Sequence, residues 1–161
     1  KFEIDDDGIR FWHPGGTLNS IAIETDVHPG FMTDWQQPLV VVLTQTTGLS
    51  IVHETVYENR LGFTDALVEA GAHIQTFREC LGGSPCRFGR ANYQHSAVIS
   101  GPTPLQAAEI TVPDLRGGFS YVIAALAAEG RSTVHGIDLI HRGYERFSEK
   151  LDNLGAVYKL P

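Results

Sequence analysis

The sequence predicts a mixed α/β (α+β) protein built from units of about 80 residues that repeat along the chain. Three observations predict it. A shift of 82 residues superposes Gly48, Ser50, Val52, His53 and Arg60 on Gly130, Ser132, Val134, His135 and Arg142. The same shift lays Leu39-Val40-Val41 over Tyr121-Val122-Ile123, and a shift of 84 pairs Leu67, Gly71 and Ala72 with Leu151, Gly155 and Ala156. Short β-type stretches also alternate with longer apolar stretches of helical period, as strands and helices do when they share one core.

Each element follows from local chemistry. Residues 2 to 12 read as a hairpin turning at Asp5-Asp6-Asp7-Gly8. Ile21 to Glu24 and Ala108 to Val112 read as strands, each followed by an apolar helix, Asp34 to Thr47 and Leu115 to Glu129. These helices are apolar nearly all round, which predicts burial on all sides. Gly48 and Gly130 stand where a helix C-terminal glycine belongs. Ile51-Val52-His53 and Thr133-Val134-His135 read as strands, and amphipathic helices cover Leu61 to Ala70 and Tyr144 to Leu154, ending at Gly71 and Gly155 with a strand after each. Gly82 to Gly101 reads as an elaborated hairpin or loop. The expected organisation is one globule: residues 1–17 close a preceding unit, 18–101 form a full unit, and 102–161 form a second, truncated one. The chain thus reads as a segment of a longer repeated protein.

Composition narrows the function. The 161 residues are 42% hydrophobic and 19% charged, which argues against disorder. A net charge of −7 makes nucleic acid and acidic membrane poor partners. The longest apolar run, Pro38 to Leu43, is far short of the roughly 20 residues a spanning helix needs. With two cysteines and no visible signal peptide, the expected location is cytoplasmic.

Four segments carry candidate chemistry. In Pro29–Gln36, Thr33 or Asp34 can cap the helix, and Thr33 with Gln36 fits a capping box; Asp34 therefore reads either as a cap or as a reactive carboxylate. Glu54–Arg60, Val112–Gly118 and His141–Glu145 place Arg60, Arg116 and Arg142 at helix starts or strand-to-helix turns. Such arginines are either solvated surface charges or grips for an anion, because a guanidinium binds carboxylate or phosphate with two hydrogen bonds and helix N-termini favour negative charge. The histidines form no HExxH-type pattern, and Cys80 and Cys86 stand five residues apart where zinc fingers generally use two to four. No metal site and no cofactor are expected.

Together the segments Pro29–Gln36, Glu54–Arg60, Asp114–Arg116 and Arg142–Glu145, with Leu154-Gly155-Ala156, resemble the enolpyruvyl transferase family. The Tyr57–Arg60 and His141–Tyr144 segments are more similar to its nucleotide-sugar branch than to its shikimate branch. The resemblance implies a fold of βαβαββ units around buried parallel helices, an inside-out α/β barrel globule of which this chain is part. It implies transfer of the enolpyruvyl group of phosphoenolpyruvate to the 3′-hydroxyl of UDP-N-acetylglucosamine, the first committed step of peptidoglycan synthesis, in cooperation with the remaining globule of the same enzyme. By resemblance Asp34 is the base for the sugar hydroxyl, and Val56, through its backbone, and Tyr57 lie at the substrate. Arg60, Arg116 and Arg142 surround phosphoenolpyruvate. Met32, Tyr57 and His141 replace the family's usual Pro, Phe and Asp, and the family's proton-donating loop and N-terminal Lys-Asn find no match. The Cys80–Tyr93 stretch is longer than usual, and neither Cys80 nor Cys86 fits the proton donor's role.

Overall fold

The structure is a computed structural model that describes residues 1–83 and 86–160. Ser84 and Pro85, inside the expected 82–101 connection, and Pro161, the end of the expected second unit, lie outside the described residues. The chain opens with β1 (Phe2–Asp5) and β2 (Gly8–Phe11), paired antiparallel, with the Asp5 carboxylate accepting the Asp7 and Gly8 N–H groups to hold the turn. Then come β3 (Ala22–Glu24), α1 (Thr33–Leu43), β4 (Gly48–His53), a 3₁₀ turn (Arg60–Phe63), α2 (Thr64–Glu69), β5 (His73–Phe77) and β6 (Ser96–Gly101). These strands form one sheet in the order β3-β4-β6-β5, with β3 parallel to β4 and the other pairs antiparallel. The chain continues through β7 (Glu109–Thr111), α3 (Leu115–Ala127), β8 (Thr133–His135), α4 (Ile137–His141) and α5 (Phe147–Asn153); β7 and β8 pair in parallel.

The two β-α-β crossovers share their hydrogen bonds. The Ser50 hydroxyl accepts from Ile21 N–H and the Ser132 hydroxyl from Ala108 N–H, both at 3.3 Å. Thr25 N–H donates to His53 C=O at 2.9 Å, and Val112 N–H to His135 C=O at 3.0 Å. What differs is the strand-to-helix connection, residues 25–32 before α1 against residues 112–114 before α3. At the other end of each stretch, α2 and α5 stop the same way. Gly71 and Gly155 take positive φ, of 98° and 76°, and the next N–H reaches back to Leu67 C=O or Leu151 C=O. Only a residue without Cβ accepts that conformation cheaply.

Several elements differ from the sequence reading. Helix α1 stops at Leu43, because the Thr44 and Thr46 hydroxyls donate back to the Val41 and Leu43 carbonyls and tighten the chain. Gly48 therefore opens β4 instead of closing a helix, and Gly130 lies beyond Ala128, where α3 has already turned extended. The expected helix at 61–70 divides into the 3₁₀ turn and α2, and α4 was not anticipated. Among the described residues no strand follows Gly155. Its counterpart β5 exists by pairing with β6, and no such partner is described for 156–160.

The core joins Val40, Val41 and Leu43 of α1, Tyr121, Val122 and Ala124 of α3, and Val52, Ala97 and Ile99 of the sheet, with Ile110, Val112 and Ile140 beside them. Each fully buried Val, Leu or Ile among them contributes about 1.5–3 kcal/mol by leaving water. Gly118 is needed where α4 presses on α3, since a Cβ there would meet Val112 and Ile140 side chains at 2.8 and 2.9 Å. The helices are not buried all round: Val42 of α1 and Leu126 of α3 are 44% and 45% exposed. Helix α1 packs on α3 and on the sheet, and α3 on α1 and α4, yet each helix leaves part of its apolar surface uncovered among the described residues. No described helix is long and apolar enough to cross a membrane.

Candidate functional site

Helices α1 and α3 pack on each other with their N-terminal turns together, and the site lies where those turns meet. Asp34 stands in the first turn of α1, Arg116 in the first turn of α3, and Arg60 opens the 3₁₀ turn after β4. Asp34 Oδ1 accepts a hydrogen bond from Arg60 Nη2 at 3.0 Å and lies 3.8 Å from Arg116 Nη1. Arg60 is almost wholly buried, its side chain 5% exposed, while Asp34 and Arg116 remain open at 54% and 57%. The Tyr57 ring lies near both guanidinium groups, at 5.2 Å from Arg60 and 5.9 Å from Arg116. This cation–π arrangement keeps both cations at one spot without neutralising them.

Neither residue expected to cap α1 does so. The N-cap is Met32, with extended backbone and no side-chain bond. Thr33 instead donates to Glu54 at 2.8 Å, and Asp34 points to the arginines. In the second crossover the contrast is direct: Asp114 caps α3 by accepting Gly117 N–H at 2.8 Å. Asp34 thus pairs with cations and does not cap the helix.

Glu54 is the residue that sequence reasoning missed. It is fully buried at the end of β4, and its carboxylate accepts from the Thr33 hydroxyl and from the Val56 and Tyr57 N–H groups, each at 2.8 Å. One side chain thereby ties the start of α1 to the loop that carries Tyr57 and Arg60. The visible signal was its place directly after a strand and before the motif. With the Val56 N–H engaged in this way, only the Val56 carbonyl is left for a ligand. Asn59 takes the left-handed conformation (φ 51°) that Asn tolerates, and so turns Arg60 inward.

A groove of about 560 Å³ opens beside this cluster, lined among others by Gln37, Tyr57, Arg60, Arg116, Gly117 and Tyr121. Arg60 Nε and Gln37 Oε1 are buried on its wall without a hydrogen-bond partner among the described residues. Buried polar atoms without partners are rare in folded proteins and point to a ligand or solvent that completes them. The site is therefore rich in donors, at two helix N-termini with two guanidinium groups, and contains two exposed carboxylates, Asp34 and the Asp114 that caps α3. It can hold an anion and place a base next to it.

The structure brings Asp34, Tyr57, Arg60 and Arg116 together. Arg142 is exposed at the end of α4, forms no ion pair among the described residues and does not line the groove. Its loop nevertheless reaches the site. Gly143 packs against Leu115 at the start of α3, and Tyr144 feels both charges: burial, then the Asp34 carboxylate, push its phenol above the usual range, with Arg60 opposing. His141 faces Ser148, its ring nitrogen 3.2 Å from the hydroxyl, and not the arginines.

Comparison with known proteins gives concordant matches. Residues 3–151 match the family model described as EPSP synthase (3-phosphoshikimate 1-carboxyvinyltransferase). The chain is 57% identical over 155 residues to UDP-N-acetylglucosamine 1-carboxyvinyltransferase of Protochlamydia amoebophila, covering 96% of this chain and 33% of that protein. It is 51% identical over 156 residues to the protein of the same name from Chlamydia trachomatis serovar D, with 96% and 35% covered. The enolpyruvyl transferase NikO from Streptomyces tendae superposes with a TM-score of 0.76 at 25% identity, over 98% of this chain and 33% of that one. The chain spans about a third of the length of the relatives it matches.

Proposed function

The chain belongs to the EPSP synthase (3-phosphoshikimate 1-carboxyvinyltransferase) family, and from that premise we propose that it supplies the acceptor-activating part of an enolpyruvyl transferase acting on UDP-N-acetylglucosamine. The names of the relatives at 57% and 51% identity support the choice of nucleotide sugar over shikimate 3-phosphate. The observation that carries the chemistry is the Asp34 carboxylate, 3.0 Å from Arg60 and 3.8 Å from Arg116 at the meeting of two helix N-termini.

In the proposed reaction the sugar 3′-hydroxyl donates a hydrogen bond to Asp34 and loses its proton there as its oxygen bonds to C2 of phosphoenolpyruvate. Carbon C3 takes up a proton from a group for which this chain offers no match. The tetrahedral adduct then loses phosphate and a C3 proton to restore the double bond. Carboxylates are weak bases, so much of the acceleration comes from holding the hydroxyl against C2. Arg60 and Arg116 hold the phosphate and carboxylate of phosphoenolpyruvate, and Arg142 closes over them from the loop beside α3. Removing one such donor is expected to cost ~3 kcal/mol, on the order of 100-fold in rate. Tyr57 and the Val56 carbonyl contact the nucleotide sugar.

We also read residues 18–101 and 102–161 as tandem βαβαββ-type units, the second incomplete, with 1–17 closing a preceding unit in an inside-out α/β barrel globule. The matching hydrogen bonds of the two crossovers and the matching ends of α2 and α5 support that reading. The exposed apolar faces of α1 and α3 accord with a further helix beside them. Such an enzyme works in the cytoplasm at the entry to peptidoglycan synthesis and needs its other globule.

The test is phosphate release by the intact protein that contains this chain, with UDP-N-acetylglucosamine or shikimate 3-phosphate as acceptor. Turnover with the nucleotide sugar, abolished by Asp34→Ala, is expected. Preference for shikimate 3-phosphate, or undiminished turnover after Asp34→Ala, overturns the proposal.

A further inference from the structure

Outside the lining of the groove, four side chains converge that the proposed reaction does not use. His53 ends β4, Cys80 and Cys86 lie in the connection after β5, and His95 immediately precedes β6. One ligating atom each from His53, Cys80 and Cys86 lie within 4.8 Å of one another. Cys80 Sγ is 3.4 Å from His95 Nε2, and the two imidazole rings are 5.4 Å apart. We propose that His53, Cys80, Cys86 and His95 form a closed, four-coordinate structural zinc site.

The hydrogen bonds around the histidines carry the argument. The Ser96 hydroxyl donates to Glu79 C=O at 2.7 Å, so its oxygen can only accept from His53 Nδ1, 2.8 Å away. That fixes the proton of His53 on Nδ1 and leaves Nε2 as a bare lone pair. His53 is fully buried, and among the described residues Nε2 has no hydrogen-bond partner. His95 repeats the arrangement. Its Nδ1 lies 2.9 Å from Tyr93 C=O, which can only accept, so its Nε2 lone pair faces Cys80. Two imidazoles each tied at Nδ1 and bare at Nε2, in a cluster with two thiols, have the outer-shell arrangement of metal-binding histidines.

The rest of the cluster fits. Phe88 N–H points to Cys86 Sγ at 3.2 Å, a bond that strengthens when the sulfur is a thiolate. Any Cβ at Gly82 would collide with the His53 ring, so glycine there lets the connection close over the imidazole. In a tetrahedral site with Zn–S of ~2.3 Å and Zn–N of ~2.0 Å, ligand atoms stand roughly 3.3–3.8 Å apart, so movements of about an ångström gather His53, Cys80 and Cys86, and His95 joins them from its 3.4 Å approach to Cys80. Two sulfur and two nitrogen donors select zinc over harder cations such as magnesium or calcium. Cysteine spacing did not reveal the site because the histidines come from other strands. The pairing of His53 with Ser96 across β4 and β6 brings them alongside. The ion would fasten the long connection to the end of β4, next to Glu54, which holds the candidate site's loop.

The experiment measures metal in the intact protein, purified without chelator, by elemental analysis, and then replaces it with cobalt(II). About one zinc per chain is expected, with the thiolate-to-cobalt charge-transfer band and the intense visible bands of tetrahedral cobalt. Cys86→Ser should lower zinc affinity at least tenfold. Cys86→His should keep the metal while weakening the thiolate band, which separates lost ligation from lost folding. Zinc should also slow the reaction of both thiols with a disulfide reagent. Substoichiometric metal with thiols equally reactive with and without zinc overturns the proposal, as does a Cys80–Cys86 disulfide in freshly prepared protein.

Discussion

At the scale of single residues, the site separates charges that act on a ligand from those that hold the fold. Asp34 is half exposed and Asn keeps the acceptor oxygen for the buried Arg60, so Asp34→Asn should cost only about 1 kcal/mol of stability. Its main expected effect is on rate: Asp34→Asn in the intact protein should lower kcat on the order of 100-fold while urea unfolding shifts only by that small amount. Glu54 should behave in the opposite way. Glu54→Ala strands the Val56 and Tyr57 N–H groups and the Thr33 hydroxyl, and should destabilise by about 2–4 kcal/mol in chemical denaturation. Glu54→Gln keeps one acceptor oxygen for the two N–H groups and should recover most of that loss. Asp34, Arg60 and Arg116 were legible in the sequence because charged groups at helix starts and turns are conspicuous there, whereas Tyr57 was singled out only by the family resemblance. Glu54 was not legible, because a carboxylate satisfied by backbone N–H groups leaves no trace in spacing.

At the scale of elements, the site depends on how closely the loop after α4 approaches α3. Gly143 sits against Leu115, and a Cβ at that position would collide with the leucine side chain. Gly143→Ala should therefore push the Arg142–Tyr144 segment outward. In steady-state kinetics the KM for phosphoenolpyruvate should rise several-fold with little change in melting temperature. Adding Leu115→Ala, which clears the space, should restore most of it, and an absence of rescue would show that the loop's position does not matter. Elements whose ends are set by glycine were readable from sequence, as at Gly71 and Gly155, because the positive φ there excludes other residues. The end of α1 was not, since threonine hydroxyls turning back on carbonyls stop a helix without any breaker. Helix α4 was missed for a related reason: five residues are too few to show a period.

At the scale of the whole molecule, the alternation of strand and helix was legible because the two crossovers repeat the same residues at the same hydrogen bonds. How α1 and α3 meet was not, since both helices are apolar nearly all round and the sequence does not mark which face meets the other. That meeting place makes a prediction about pH. Tyr121 of α3 is pushed above the usual phenol range by burial first, then by Asp114 and Asp65, and Tyr144 by burial and Asp34. A tyrosine unfolds to an ordinary value near 10.0, so in both cases the folded protein holds its proton more tightly than the unfolded chain. Stability is then fully present below about pH 10 and falls as pH rises from there through the folded values, because the unfolded chain is the first to ionise. Tyr144→Phe and Tyr121→Phe should each flatten the fall of melting temperature above pH 10 and leave the profile near neutrality unchanged in slope. Wild-type slope persisting in the double variant would place the alkaline sensitivity elsewhere and separate it from the packing of α1 on α3.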